Sequence, residues 1–244
     1  MNVVPKSTRF HERTKIEVPL DVVYSENAGI VWRERTKTEE VTICGGGFLL
    51  HRPLEPKRLV NLRMPLPKNF RLYDFGKEKY EIWGLVRYVR LLDQEEPGQI
   101  RIKVGAALTG HRPPPSFLVD PTTVYDLKPI LRNQSLWELR ELERHTGRYM
   151  RSHEERRRIE IDVILDVIGP DGRVIESVAG ETHNISESGM ALTARFEAGF
   201  PLYIVVKNPG RRFRQLAKVR AIHPSDDDER FRLHLEFLSG KWIV

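Results

Sequence analysis

The sequence predicts an all-β protein built from two copies of one small domain. Three observations lead to this prediction. Short segments alternate apolar and polar side chains between turn residues, a proline-rich stretch breaks this pattern near the middle of the chain, and the segments after the break repeat those before it. A chain of 244 residues is long enough for two domains of about 100 residues each.

The first half is predicted to be a series of short strands. Each segment has the alternation typical of a strand with one buried face. Glycine, proline, asparagine or aspartate separates most of them, and these residues favour turns. Closely spaced strands of this kind favour a sandwich or a barrel. The predicted strands are Ile16–Tyr24, Ile30–Trp32, Glu40–Ile43, Phe48–Leu50, Leu59–Met64, Glu81–Val89 and Ile100–Leu108.

Residues 113–150 are predicted to connect the two copies. The connector begins with consecutive prolines, which end the strand pattern. Ser135-Leu-Trp-Glu138 has the spacing of a helix-capping box, and leucines recur at every third position from Leu136. This pattern predicts a helix that ends near Gly147, so we expect a helical connector.

The second half returns to strands, with the tight turn Gly169-Pro-Asp-Gly172 between the first two. We therefore expect one domain at 1–112 and another at 151–244. The predicted strands are Ile159–Ile168, Arg173–Val178, Met190–Leu192, Leu202–Val206, Leu216–Ile222 and Phe231–Phe237.

The two halves resemble each other closely enough to indicate an internal repeat. The spacing between the similar segments is nearly equal, with 32 positions from Lys15 to Gly47 (47 − 15) and 31 from Arg158 to Gly189 (189 − 158). The similar pairs of segments are Lys15–Val18 with Arg158–Ile161, and Thr42–Leu50 with Asn184–Leu192.

A basic segment, a strand, a hairpin and a polar motif follow one another in the second half. The basic segment contains Arg156–Arg158, and the motif is Asn184-Ile-Ser-Glu-Ser-Gly189. This order resembles the PilZ domain, and the resemblance covers most of both halves. It implies two six-stranded antiparallel β-barrels and a bacterial receptor whose ligand is cyclic di-GMP.

The resemblance also implies which residues bind the ligand. Arginines can clamp phosphate oxygens and stack on or bond to guanine. An asparagine oxygen can accept from guanine N–H groups, a serine hydroxyl can add a bond, and glycine permits close approach. The predicted ligand-binding residues are Arg151, Arg156, Arg157, Arg158, Asn184, Ser186 and Gly189, with Arg9, Arg13 and Arg148 as further candidates.

Each copy departs from the family pattern in a different way. The first has a literal Arg-x-x-x-Arg at Arg9–Arg13, but the similarity between the halves places Thr42 and Cys44 where Asn and Ser are expected. The second keeps Asn, Ser and Gly, whereas Glu154 interrupts its arginine spacing. We therefore predict the ligand site in the second copy and a structural or partner-binding role for the first.

Composition limits the classes of function. The net charge of +6 suits an anionic ligand or partner. No apolar run reaches the roughly 20 residues needed to span a membrane, and no signal peptide is evident. The single cysteine, Cys44, has no partner for a disulfide, and no Cys/His pattern indicates a metal. We expect a cytoplasmic protein without a cofactor.

Three functions remain open on the sequence. The first is a cyclic di-GMP receptor that changes its interdomain arrangement and signals through a protein partner. The second is a PilZ-like interaction module that works without nucleotide. The third, least favoured, is nonspecific nucleic-acid binding through the arginine-rich connector. We expect no enzymatic activity, because no set of residues has a catalytic arrangement.

Overall fold

The protein forms two closed six-stranded antiparallel β-barrels, as the resemblance to the PilZ domain implies. The computed structural model describes residues 14–93, 96, 98–128, 136–142, 155–197, 199–208, 210, 213–225 and 229–240.

The first barrel is built from strands β1 to β6, which adjoin in the order β1-β2-β3-β6-β5-β4. Antiparallel pairing of β1 with β4 closes the ring. A single 3₁₀ turn lies at Lys68–Phe70, between β4 and β5. The strands are β1 (Pro19–Ser25), β2 (Val31–Thr42), β3 (Gly45–Leu50), β4 (Leu59–Met64), β5 (Tyr80–Leu91) and β6 (Ile102–Gly110).

Alternation along the strands produces the core of the first barrel. In β1, Leu20, Val22 and Tyr24 are buried, while the residues between them are partly exposed. Side chains of successive strand residues point to opposite faces, so this pattern fills the barrel from one face of each strand. Ile82 and Val104 are fully buried on β5 and β6.

A small cap covers one side of the first barrel. It consists of helix α1 (Pro115–Val119) and a two-stranded sheet of β7 (Tyr125–Leu127) and β8 (Leu139–Glu141). Phe117 and Tyr125 pack in one cluster with Leu59 and Leu85 of the barrel. The ring centroids of Phe117 and Trp83 lie 4.9 Å apart.

The cap shows that the helix predicted from Leu136 is wrong at residues 136–142. Lys128 N–H donates to the Glu138 carbonyl at 2.9 Å, and Trp137 N–H donates to the Leu108 carbonyl at 3.0 Å. These bonds hold residues 137–141 in an extended conformation. Long-range pairing has overridden the local helical pattern. The predicted helix from 143 to its end near Gly147 lies outside the described residues.

The second barrel repeats the topology of the first. Its strands adjoin in the order β9-β10-β11-β14-β13-β12, which is the first barrel's order with each strand replaced by its counterpart. Pairing of β9 with β12 completes the ring. The strands are β9 (Asp162–Ile168), β10 (Val174–Ile185), β11 (Gly189–Ala194), β12 (Tyr203–Asn208), β13 (Phe213–Pro224) and β14 (Phe231–Phe237).

The core of the second barrel is a single aliphatic cluster. Leu165, Ile185, Leu192, Ile204 and Leu233 are completely buried in it, and they come from five of the six strands. Truncating such a side chain to alanine typically costs about 2–5 kcal/mol. The core therefore holds the strands that carry the candidate site in a fixed register.

Two strands are longer than the sequence predicts. One strand, β2, runs continuously over twelve residues from Val31. It joins the two predicted strands Ile30–Trp32 and Glu40–Ile43. Likewise β10 continues to Ile185 and so includes Asn184. Their middle residues are polar because one face is exposed, which hides the strand from an apolar pattern. The Gly169–Gly172 turn is confirmed as the β9–β10 connection.

Candidate functional site

The arginine arm lies alongside the last residues of β10. Arg157 N–H donates to the Ile185 carbonyl, and Ile185 N–H donates back to the Arg157 carbonyl, both at 2.9 Å. This reciprocal pair fixes the arm next to the polar motif. Successive residues of an extended chain point to opposite sides, so Arg156 and Arg158 share a side.

A buried threonine holds the next part of the arm. The Thr182 hydroxyl donates to the Ile159 carbonyl at 2.7 Å and accepts from Ile161 N–H at 3.1 Å. Thr182 N–H donates to the Ile161 carbonyl at 3.1 Å. Thr182 is fully buried. These bonds attach the arm to β10 in the manner of a short additional strand.

The polar motif spans the end of β10, a tight turn and the start of β11. Ser186 N–H donates to the Gly189 carbonyl at 2.8 Å, and the Ser186 hydroxyl donates to the same oxygen at 3.3 Å. A Cβ at Gly189 would lie 2.1 Å from the Leu235 carbonyl oxygen. Ser186 and Gly189 therefore shape the turn and allow β11 to approach β14.

The arm, β10 and β14 together line a cavity of about 380 Å³. Three guanidinium groups face it, with one imidazole and one amide, and no carboxylate is present among its described lining residues. Such a set favours an anionic ligand that also offers hydrogen-bonding groups. The lining residues are Arg156, Arg158, His183, Asn184 and Arg232.

The surroundings of the cavity set its electrostatics. Arg158 lies 3.7 Å from Glu160, but both side chains are exposed, so this ion pair is weak. The His183 ring is hydrogen-bonded to the Thr193 hydroxyl. Next to the cavity, the pKa of His234 lies below its ordinary value because its ring is partly desolvated and because His223, Arg232 and Arg156 are close by. The region is electropositive enough to disfavour further positive charge.

The predicted site residues fall into three groups. Arg156, Arg158 and Asn184 line the cavity. Arg157 contributes the backbone pairing, and Ser186 and Gly189 form the turn. Outside the described residues lie Arg9, Arg13, Arg148, Arg151 and the interrupting Glu154.

Two lining residues were not predicted from the sequence. His183 directly precedes the motif, and Arg232 comes from β14, far along the chain from Asn184. The signal for Arg232 is the alternation in Phe231-Arg-Leu-His-Leu-Glu-Phe237, which places Arg232 and His234 on the outward face.

A comparison with protein families identifies residues 150–241 as a match to the PilZ domain. This range covers the described arm and all six strands of the second barrel. The second barrel is a PilZ domain. Its arginine arm and its Asn-x-Ser-x-x-Gly motif are the two sequence features on which the resemblance was based.

Several solved structures resemble the whole chain weakly. The inhibitor of motility MotI/DgrA of Bacillus subtilis is 12% identical, with 92% of this chain and 88% of that chain covered and a TM-score of 0.27. The PlzA protein of Borreliella burgdorferi, solved with c-di-GMP, is 8% identical, with 93% and 86% covered and a TM-score of 0.28.

YcgR of Escherichia coli, also solved with c-di-GMP, is 11% identical, with 91% of this chain and 76% of that chain covered and a TM-score of 0.27. A search among curated proteins found no match. At such TM-scores these structures add no argument, so the PilZ assignment depends on the match of residues 150–241.

The arm of the PilZ domain and the threonine that holds it, Thr182, both have counterparts in the first barrel. Thr14 pairs with Val41 as Arg157 pairs with Ile185. The Thr38 hydroxyl donates to the Ile16 carbonyl and accepts from Val18 N–H, as Thr182 does with its own arm. Thr38 and Thr182 are thus equivalent, 144 positions apart (182 − 38).

This equivalence corrects the motif that the sequence assigned to the first barrel. Gly45, not Gly47, begins β3 and is the counterpart of Gly189, again 144 positions away (189 − 45). The first-barrel motif is therefore Glu40-Val-Thr42-Ile-Cys-Gly45, and the predicted positions Thr42 and Cys44 for Asn and Ser are wrong by two. The Thr42 hydroxyl donates to the Gly45 carbonyl at 3.4 Å, as Ser186 does in its turn.

The corrected pairing shows what distinguishes the two barrels. Glu40 occupies the place of Asn184, and Glu39 occupies the place of His183. A Cβ on Gly47 would lie 3.0 Å from Cγ of Glu40, so the Glu40 side chain lies over β3. The first barrel keeps the turn of a PilZ domain but carries carboxylates on the face where the second carries an imidazole and an amide.

A larger cavity of about 460 Å³ lies elsewhere on the PilZ domain. Three of its lining residues are glutamates, and Arg195 is ion-paired to Glu229 at 2.5 Å. This mixture of charges suits a dianion less well than the arginine-lined cavity. Its lining residues are Glu176, Val178, Ala179, Arg195, Glu197, Glu229 and Arg230.

The part of the chain that the structure describes holds no group of three or more His, Cys, Asp and Glu side chains placed to bind a metal ion. None of its helices has the length and apolar character needed to cross a membrane.

Proposed function

We propose that the PilZ domain binds cyclic di-GMP in the cavity of about 380 Å³, and that the protein is a receptor for this nucleotide. The observation that carries the proposal is the meeting of the arginine arm with Asn184 around one cavity. Membership of the PilZ family supports the identity of the ligand, because the family commonly binds cyclic di-GMP.

Each lining group has a role that fits this ligand. Arg156 and Arg158 can bond phosphate oxygens in pairs, and a guanidinium can also stack on guanine. The Asn184 amide can both donate to and accept from the edge of guanine. Arg232 approaches from the other side of the cavity and can neutralise a phosphate or bond to guanine O6 and N7.

Titration calorimetry with cyclic di-GMP tests the proposal. We expect Arg158→Ala to weaken binding by about 1.5–3 kcal/mol, as for a lost charge-assisted hydrogen bond. The matched control is Arg195→Ala, which removes an exposed arginine of the same barrel outside the cavity. The absence of heat with the unmodified protein at high ligand concentration, or equal losses in both variants, would contradict the proposal.

We propose further that ligand binding changes the arrangement of the two barrels and that a protein partner reads this change. The arm is continuous with the connector, so a ligand that clamps Arg156 and Arg158 also restrains the chain between the barrels. Small-angle scattering with and without ligand measures the effect. At a ligand concentration that saturates only the unmodified protein, we expect the radius of gyration to change in the unmodified protein and to stay nearly constant in Asn184→Ala.

A nucleotide-independent interaction module is the second candidate, and one observation favours it for the first barrel. Glu39 and Glu40 stand where the PilZ domain has His183 and Asn184, so this face favours a basic partner over a nucleotide. Capture of the same partner with and without cyclic di-GMP would favour this function. Ligand-dependent capture would favour the receptor.

A further inference from the structure

The proposed ligand site has an extension on β13 and β14 that the PilZ motif does not include. Ala191 of β11 is the register partner of both Asn184 on β10 and His234 on β14. Asn184 and His234 therefore lie in one row across the barrel, roughly 10 Å apart. Ala191 points outward yet is only 1% exposed, which indicates that the flanking side chains close over it.

His234 belongs to a compact cluster of cationic side chains. Its ring lies 5.7 Å from that of His223, at an edge-on angle of 80°. Arg232 is two residues away on the same strand and is the register partner of His223. Both histidines therefore adjoin a guanidinium that lines the cavity.

From this geometry we propose that His234 is a protonatable subsite of the same ligand site, so that the cyclic dinucleotide binds together with a proton. The inference rests on the proposed function. A phosphate group placed among Arg156, Arg232 and His234 would favour the imidazolium form of His234.

The charges around His234 can be stated for each neighbouring element. Its own strand contributes Arg232 and Glu236, and β13 contributes His223 and Arg220. Arg220 is bonded to Glu236 at 2.5 Å, which offsets both charges. The outward residues of β11 are Gly189, Ala191 and Thr193, which do not titrate. The arm contributes Arg156, and β10 contributes His183.

The charges around His234 determine how the affinity for the ligand depends on pH. Desolvation, and then the neighbouring His223, Arg232 and Arg156, hold the pKa of His234 below its ordinary value in the free protein. A bound dianion offsets the positive charge around His234 and raises its pKa. Affinity is therefore constant well above both pKa values, rises as the pH falls through the bound-state pKa, and levels off below the free-state pKa. A rise of about one pKa unit corresponds to about tenfold tighter binding.

Calorimetry in buffers of different ionisation enthalpy tests this inference. The titrant is cyclic di-GMP, at a series of pH values around the ordinary histidine pKa of about 6.5. We expect net proton uptake on binding in the unmodified protein and none in His234→Gln. His111→Gln, a histidine of the first barrel, is the matched control and should keep the uptake.

A second variant keeps the test decisive if His234→Gln does not fold. His223→Gln removes one of the neighbours that lower the His234 pKa, and His223 is exposed. It should move the onset of proton uptake to higher pH. Binding without proton uptake, or uptake unchanged in the His234 variant, overturns the inference and leaves the receptor function standing. Absence of binding at every pH overturns both.

Discussion

Gly189 is needed for the close approach of the neighbouring strand β14 rather than for contact with a ligand. A side chain there would place its Cβ 2.1 Å from the Leu235 carbonyl oxygen, whereas at Gly45 the nearest atom, the Ala106 carbonyl oxygen, is 3.2 Å away. The equivalent glycines of the two barrels therefore tolerate a methyl group unequally.

We predict that Gly189→Ala destabilises the second barrel by about 1–3 kcal/mol, because β11 and β14 must separate to admit the methyl group. Gly45→Ala should cost the first barrel less. Urea unfolding followed through backbone NMR signals of Leu192 and of Val22 measures each barrel separately. Equal stability losses in the two variants would contradict this account of Gly189.

Asn184 and its counterpart in the first barrel differ in charge and in hydrogen-bonding capacity. Its counterpart Glu40 carries a negative charge and no donor, so it repels phosphate and cannot donate to a guanine acceptor. We predict that Asn184→Glu abolishes cyclic di-GMP binding by calorimetry, while Asn184→Asp weakens it less because the smaller side chain keeps its acceptor near guanine. Retained affinity in Asn184→Glu would exclude a direct role for this residue.

At the scale of elements, a buried threonine joins the arm to the barrel in both halves. Thr182 and Thr38 make the same pair of hydroxyl bonds, to arm residues 159 and 161 in one barrel and 16 and 18 in the other. The arm is therefore part of the common fold, and its arginines Arg156 and Arg158 are what it contributes to the proposed ligand site.

We predict that Thr182→Val and Thr38→Val each destabilise their own barrel by about 1–3 kcal/mol, since each leaves buried backbone groups without a partner. Only Thr182→Val should also weaken cyclic di-GMP binding, because it loosens Arg156 and Arg158. Residue-specific hydrogen exchange and calorimetry separate the two effects. A loss of affinity in Thr38→Val equal to that in Thr182→Val would contradict the assignment of the site to the second barrel.

The elements also show where sequence reasoning succeeds and where it fails. Alternation and turn residues were enough to predict most strands, because each barrel strand buries one face. They failed at 136–142, where pairing with β7 outweighs a helical pattern. The sequence comparison matched Gly47 with Gly189 because Gly45–Gly47 offers three glycines in a row. The register of β2 and β3 is known only from the structure, in which Val41 pairs with Gly46.

Of the residues that line the cavity, the sequence predicted Arg156, Arg158 and Asn184, because the basic segment and the polar motif follow one another in a recognisable order with a strand and a hairpin between them. Arg232 was not, because its proximity to Asn184 is created by the pairing of β11 with β14. Closure of a barrel places residues side by side that no local pattern relates.

At the scale of the whole molecule, the two barrels share one fold but differ in the side chains at the candidate site. The shared features are the strand order, the arm threonine and the tight turn with its glycine. They differ on the outward face, where Glu39 and Glu40 of the first barrel occupy the places of His183 and Asn184. The face of the second barrel is therefore suited to an anion, whereas the same face of the first barrel is suited to a different kind of partner.

The most direct test of this account is a calorimetric titration of cyclic di-GMP into three proteins: the unmodified chain, Asn184→Ala and Glu40→Ala. The two variants change equivalent positions of the two barrels. We predict binding to the unmodified chain, a loss of about tenfold or more in affinity for Asn184→Ala, and unchanged affinity for Glu40→Ala. No binding to the unmodified chain, or equal losses in the two variants, would contradict it.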